Sequence, residues 1–168
     1  MFIDYNNYEY NSIVSDILNN REFKKLEYFK HHGTNRLEHS MRVSFYSYKL
    51  CKFFGFDYVS AARGGLLHDF FVNKYGDSSK KGRLLVNHPI FALYNSNKHF
   101  ILNSKEMDII RCHMFPVNIR FIPKYKESYV ITLIDKVACV YERFMGCKCA
   151  FNFNVGRIMI YMFLLLTH

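Results

Sequence analysis

Proline occurs at only three of the 168 positions, 89, 116 and 123, and each falls between stretches of helical periodicity. A proline inside a helix deletes an amide donor and clashes with the preceding turn, so its placement marks where helices can run unbroken. Strand signals, which are short alternating runs of β-branched and aromatic residues bounded by turn residues, are scarce along the chain. The sequence therefore reads as all-α, a single-domain helical bundle. Residues 1–29 supply N-terminal helices, 30–145 the main body, and 146–168 an apolar closing segment of the same domain.

Helices are expected over 11–19 and around 22–30, with Gly33 breaking the chain. Asn35 with Glu38 has capping-box spacing and opens a long helix to about Phe54, in which His39, Val43, Tyr46, Leu50 and Phe53 share a face. Ser60 is the expected cap of a helix over 61–68. Its Ala61, Ala62, Gly64 and Gly65 allow a neighbouring helix to approach closely, at some cost in propensity. Residues 73–83 read as a loop, and Pro89 as the first turn of a helix to about Phe100. Asn103 with Glu106 repeats the capping pattern and opens a helix ending near His113. A loop over 116–126 then precedes a helix over 128–145.

Half the residues are apolar and 18% aromatic, enough to bury a core and to exclude a disordered chain. The formal charge of +9 favours anionic partners. The basic residues are spread along the chain, so a small phosphorylated metabolite is expected rather than nucleic acid. The opening MFIDYNNYEYNS carries acids and no basic region, which is not the pattern of a secretory signal. The longest apolar run, 158–166, is shorter than the roughly 20 residues of a bilayer crossing. A soluble cytoplasmic protein is the expectation, with the five cysteines reduced. The lone pair Cys147-x-Cys149 lacks the four-ligand spacing of structural zinc. The apolar end is expected to pack on the domain or on a second copy, giving a homodimer.

Six residues carry potential chemistry: His39, the pair His68-Asp69, His88, His113 and Asp135. Asp135 closes the run Val130-Ile131-Thr132-Leu133-Ile134, and His68-Asp69 follows Gly64-Gly65-Leu66-Leu67. A carboxylate embedded in such a run is costly to bury unless a cation or hydrogen bonds compensate it. A divalent metal supplies that cation, and neutral imidazoles complete its shell. Any single histidine is more often a core or surface residue than a ligand. The informative feature is the order H, HD, H, H, D at separations of 29, 20, 25 and 22, with one group on or beside each successive helix.

That order resembles the HD superfamily of metal-dependent phosphohydrolases, and within it a group of small bacterial HD-domain hydrolases. The local words agree: Arg36-Leu37-Glu38-His39-Ser40-Met41-Arg42-Val43, Gly65-Leu66-Leu67-His68-Asp69, Asn87-His88-Pro89, Ile110-Arg111-Cys112-His113-Met114 and Leu133-Ile134-Asp135-Lys136. The resemblance implies that His39, His68, Asp69 and Asp135 hold one metal, while His88 and His113 hold a second with Asp69 bridging. It implies two divalent ions, iron or manganese before zinc, magnesium, nickel or cobalt. Such a centre would activate water and clamp phosphoryl oxygens, with Asp69 a ligand and a candidate proton acceptor. Arg42, Lys136, Lys74 and His32 are candidate substrate contacts, although Lys74 lies later than the family's lysine. The same ligands would serve a di-iron oxygenase, or a metal- or nucleotide-binding module without turnover. The expected activity is hydrolysis of a phosphate ester or anhydride of a small metabolite, a nucleotide first.

Overall fold

The computed structural model describes residues 7–31, 34–71 and 81–146. They form seven α-helices: α1 (Tyr8–Leu18), α2 (Arg21–Lys24), α3 (Arg36–Phe53), α4 (Tyr58–Leu67), α5 (Lys81–His99), α6 (Ser104–Cys112) and α7 (Lys126–Gly146). A 3₁₀ turn, Lys25–Tyr28, follows α2, and the strands Lys30–His31 (β1) and Thr34–Asn35 (β2) pair antiparallel just before α3. The architecture is the all-α single-domain bundle expected. Residues 147–168, which include Cys147, Cys149 and the apolar end, lie outside the described residues, as do His32 and Lys74.

α3 and α4 form the centre. α3 packs against α4 and α7, and α4 also packs against α6 and α1. One apolar cluster joins Tyr10, Val14 and Ile17 of α1 to Phe23, Leu26, Phe45, Tyr48, Leu66 and Phe70. A second joins Val43 and Cys51 of α3 to Ala61, Ile109, Ile131, Ile134 and Ala138. Burial favours pairing of polar groups, and two hydroxyls at the α1–α3–α4 contact form a chain. The Tyr10 hydroxyl donates to Ser44 Oγ at 2.8 Å, and Ser44 Oγ donates to the Ala62 carbonyl at 2.6 Å.

The α3–α4 contact explains a departure from the expected face of α3. His39 and Val43 are buried, but Phe53 is 82% exposed, and the inward stripe runs through Arg36, Ser40, Ser44, Ser47 and Cys51. Small side chains are needed there because the backbones nearly touch. A Cβ at Gly65 would lie 3.0 Å from Ser44 Cα, and one at Gly64 would lie 2.8 Å from Ile109 Cγ2. The run of small residues in α4 therefore does admit close neighbours, α3 on one side and α6 on the other.

Two helix starts differ from expectation for identifiable reasons. Asp57, not Ser60, caps α4: its carboxylate accepts from the Ser60 amide at 3.0 Å, and the helix starts three residues early. Asp57 and Ser60 are both good cap residues, and the earlier position lets Glu127 accept the Asp57 amide at 2.9 Å. α5 begins at Lys81, so residues 81–83 are helical and Pro89 lies within the helix rather than at its start. Pro89 leaves the Leu85 carbonyl without its helical donor, a local cost that the surrounding helix absorbs. The Asn103–Glu106 capping box at α6 is complete, with both reciprocal bonds formed.

Asp108, buried in α6, fixes the approach to α7. Its Oδ2 accepts from the Lys124 amide at 2.9 Å and from Ser128 Oγ at 2.7 Å. This clamp holds the first turn of α7, and so the register that carries Asp135 inward.

Candidate metal centre

α4 and α6 end in the same way. His68 is the C-cap of α4, and its Nδ1 donates to the Gly65 carbonyl at 2.7 Å. His113 is the C-cap of α6, and its Nδ1 donates to the Ile110 carbonyl at 2.8 Å. Each bond satisfies a carbonyl that the helix end leaves without a partner. It also places the proton on Nδ1 and turns the Nε2 lone pair toward the interior. Both helices present their partially negative ends at this point, which favours a cation between them.

Around these two imidazoles the six candidate residues gather into two groups of three. His39, His68 and Asp135 form one, and Asp69, His88 and His113 the other. Within each group the ligand atoms lie within 4.8 Å of one another, and all six residues are buried. In the first group Asp135 Oδ1 lies 3.1 Å from His39 Nε2 and 3.7 Å from His68 Nε2. In the second, Asp69 Oδ1 lies 3.3 Å from His88 Nε2 and 3.7 Å from His113 Nε2. The groups adjoin, since the His68 and His113 rings are 5.0 Å apart between centroids.

The donor set fits divalent cations. His68 Nε2 is buried and has no hydrogen-bond partner among the described residues, the Asp135 oxygen at 3.7 Å being too distant. Burying such an atom costs free energy unless something coordinates it. The Nε2 atoms of His88 and His113 face each other at 2.8 Å. Burial, reinforced by the neighbouring His88 and His68, pushes His113 down to about 3, so it is neutral and able to coordinate. Burial opposes the charge of Asp135, but the hydrogen bond from His39, with His68 and Lys136 nearby, outweighs it and holds the carboxyl well below its usual range. Burial likewise opposes charge on His39, yet hydrogen bonds to Asp135 and Glu142 raise it to about 10. The Cys139 thiol, 3.6 Å from Asp135 Oδ1, is pushed up by burial and by the Asp135, Asp69 and Glu142 carboxylates, and stays protonated.

The other candidates are placed as follows. Lys136 Nζ donates to Asp135 Oδ2 at 2.9 Å and to the His113 carbonyl at 3.0 Å, at the edge of the centre. Arg42 donates to the Glu142 carboxylate and lies over the Tyr141 ring, 5.9 Å from its centroid. Two residues at the centre are not among the candidates of the sequence reading. Glu142, 4% exposed, holds His39 Nδ1 at 3.0 Å. Arg36 is also buried; it donates to the Phe71 carbonyl at 2.6 Å and its guanidinium sits 3.9 Å over the Phe71 ring. Burial pulls Arg36 below its ordinary value, and the nearby Asp69 charge opposes that pull. Glu142 was within reach of the sequence, because it lies seven residues after Asp135 and so shares its helix face.

No protein-family model, curated protein or solved structure gives a significant match to this chain. Among the described residues, no helix is long and apolar enough to cross a membrane.

Proposed function

We propose that this chain is a metal-dependent phosphohydrolase of the HD type, cleaving a phosphate ester or anhydride of a small metabolite such as a nucleotide. The observation that carries the reading is the pair of adjoining buried His/His/Asp groups, with two imidazoles locked by helix-end carbonyls so that Nε2 faces inward. The order and local words of these residues resemble the HD superfamily, and that resemblance favours iron or manganese in both positions. When bound, such cations supply Lewis acidity toward phosphoryl oxygens and acidify water.

The chain's own part is to orient and to neutralise. His68 and His113 hold their lone pairs in fixed directions without reorganisation, and the buried carboxylates of Asp135 and Asp69 balance positive charge. Lys136 uses two of its three N–H donors on Asp135 and the His113 carbonyl, so the third can meet a phosphoryl oxygen of a bound substrate. The net charge of +9 draws anionic metabolites toward the protein.

The test is a screen for phosphate release over nucleotides, dinucleotides and sugar phosphates, run both anaerobically and in air, with manganese or ferrous iron supplied. Turnover that disappears in His68→Ala supports the reading. Oxygen-dependent chemistry with no phosphate release, or turnover retained in His68→Ala, would overturn it.

A further inference from the structure

We infer that Glu142 is a positioning residue of the metal centre, holding His39 by its Nδ1 while Arg42 holds Glu142 in turn. The inference rests on the metal-centre reading above and adds a residue that the ligand pattern does not contain. His39 offers one ring nitrogen to each of two carboxylates: Nε2 lies 3.1 Å from Asp135 Oδ1 and Nδ1 lies 3.0 Å from Glu142 Oε2. Nε2 is the nitrogen beside Asp135, a member of the same group of three. On metal uptake His39 would give up its Nε2 proton and keep the Nδ1 proton donated to Glu142, so that Nε2 coordinates and the plane of the ring is fixed. A carboxylate behind a ligating imidazole also raises the basicity of the nitrogen that binds the metal.

Two helices carry the whole device. His39 and Arg42 are three apart on α3, and Asp135 and Glu142 are seven apart on α7, so both pairs face one another across the α3–α7 contact. Glu142 is buried, and the Arg42 side chain is 15% exposed. A buried ion pair contributes little net stability compared with apolar residues of the same volume, since desolvation offsets the attraction. Stability alone therefore gives no reason for a carboxylate here, whereas orienting His39 does. Arg42 is taken up by this contact, and its part is to keep the Glu142 carboxylate aimed at Nδ1.

Manganese(II) titration of the full chain by isothermal calorimetry tests the inference, with thermal melts to verify folding. In Glu142→Ala, affinity at the His39/His68/Asp135 group should fall by about 10- to 100-fold, the range for losing a carboxylate behind a ligating imidazole, while the second group keeps its affinity. Glu142→Gln keeps the volume and one acceptor but not the charge, so it should lose affinity by roughly the lower end of that range. It decides the matter alone if the alanine variant does not fold. Native affinity at both groups in Glu142→Gln, while His39→Ala loses one of them, overturns the role of Glu142 and leaves the metal centre standing. A native chain that takes up no manganese overturns the metal-centre reading, and this inference with it.

Discussion

The packing of α4 on α6 brings the two C-cap histidines together, and its tightest point is Gly64 against Ile109. A Cβ at Gly64 would meet Ile109 Cγ2 at 2.8 Å, Cδ1 at 2.9 Å and Cβ at 3.1 Å. Ile109 is fully buried, so only its terminal Cδ1 can yield cheaply. In Gly64→Ala, overpacking should cost about 1–3 kcal/mol, offset by the roughly 1 kcal/mol that alanine gains over glycine in a helix. A net loss of about 0–2 kcal/mol follows. Ile109→Ala alone should cost about 2–5 kcal/mol by leaving a cavity. Together the two changes compensate, because the new methyl enters space vacated by Cγ2 and Cδ1. The double variant should be more stable than the sum of the single effects by about 1 kcal/mol or more. Urea unfolding followed by circular dichroism measures each corner of the cycle. Additivity within about 0.5 kcal/mol, as for independent sites, would refute the claim that this contact sets the α4–α6 distance.

Three further outcomes follow. In the metal-free protein, His113 is held at about 3 against 6.5 for an ordinary histidine, so below pH 6.5 the unfolded chain takes a proton that the fold refuses, and stability falls as pH falls toward 3. His39 is raised to about 10, so its contribution is complete below pH 6.5 and is lost as pH rises toward 10. Each limb has a slope of at most about 1.4 kcal/mol per pH unit, and melting temperatures should peak near pH 6.5; a steady rise from pH 6.5 to 9 contradicts the His39 assignment. Asp108→Ala strands the Lys124 amide and Ser128 hydroxyl and should cost about 2–3 kcal/mol, read from the urea midpoint, with an unchanged midpoint counting against the clamp. Asn103→Ala removes a complete capping box and should cost about 1 kcal/mol, whereas Asn7→Ala, at a cap without the reciprocal acid, should cost less by the same assay.

The helical class was legible because proline is rare and apolar residues recur at helical spacing, signals that tertiary contacts rarely reverse. The six metal-site candidates were legible because histidines and aspartates in apolar runs conflict with burial unless they coordinate something. The inward face of α3 was legible in part: His39 and Val43 are buried and Tyr46 and Leu50 pack on the core as their spacing implied, but contact with Gly65 demands small residues, and Ser40, Ser44 and Ser47 look like a solvent face to any hydrophobic pattern. Pro89 misled in the other direction. A single lost hydrogen bond is affordable within a 19-residue helix, so a proline there marks a possible start without requiring one. Glu142 shares the helix face of Asp135 and could have been named from that spacing, whereas the part of Arg36 shows only in its contact with the turn after Asp69.

Metal content most directly tests the account as a whole. Purified without chelators, supplied with manganese or ferrous iron and measured by plasma mass spectrometry, the chain should carry two ions per copy, one for each His/His/Asp group. His113→Ala should keep the ion of the His39 group and lose the other. A native chain that folds fully yet binds no stoichiometric divalent metal would contradict the central claim.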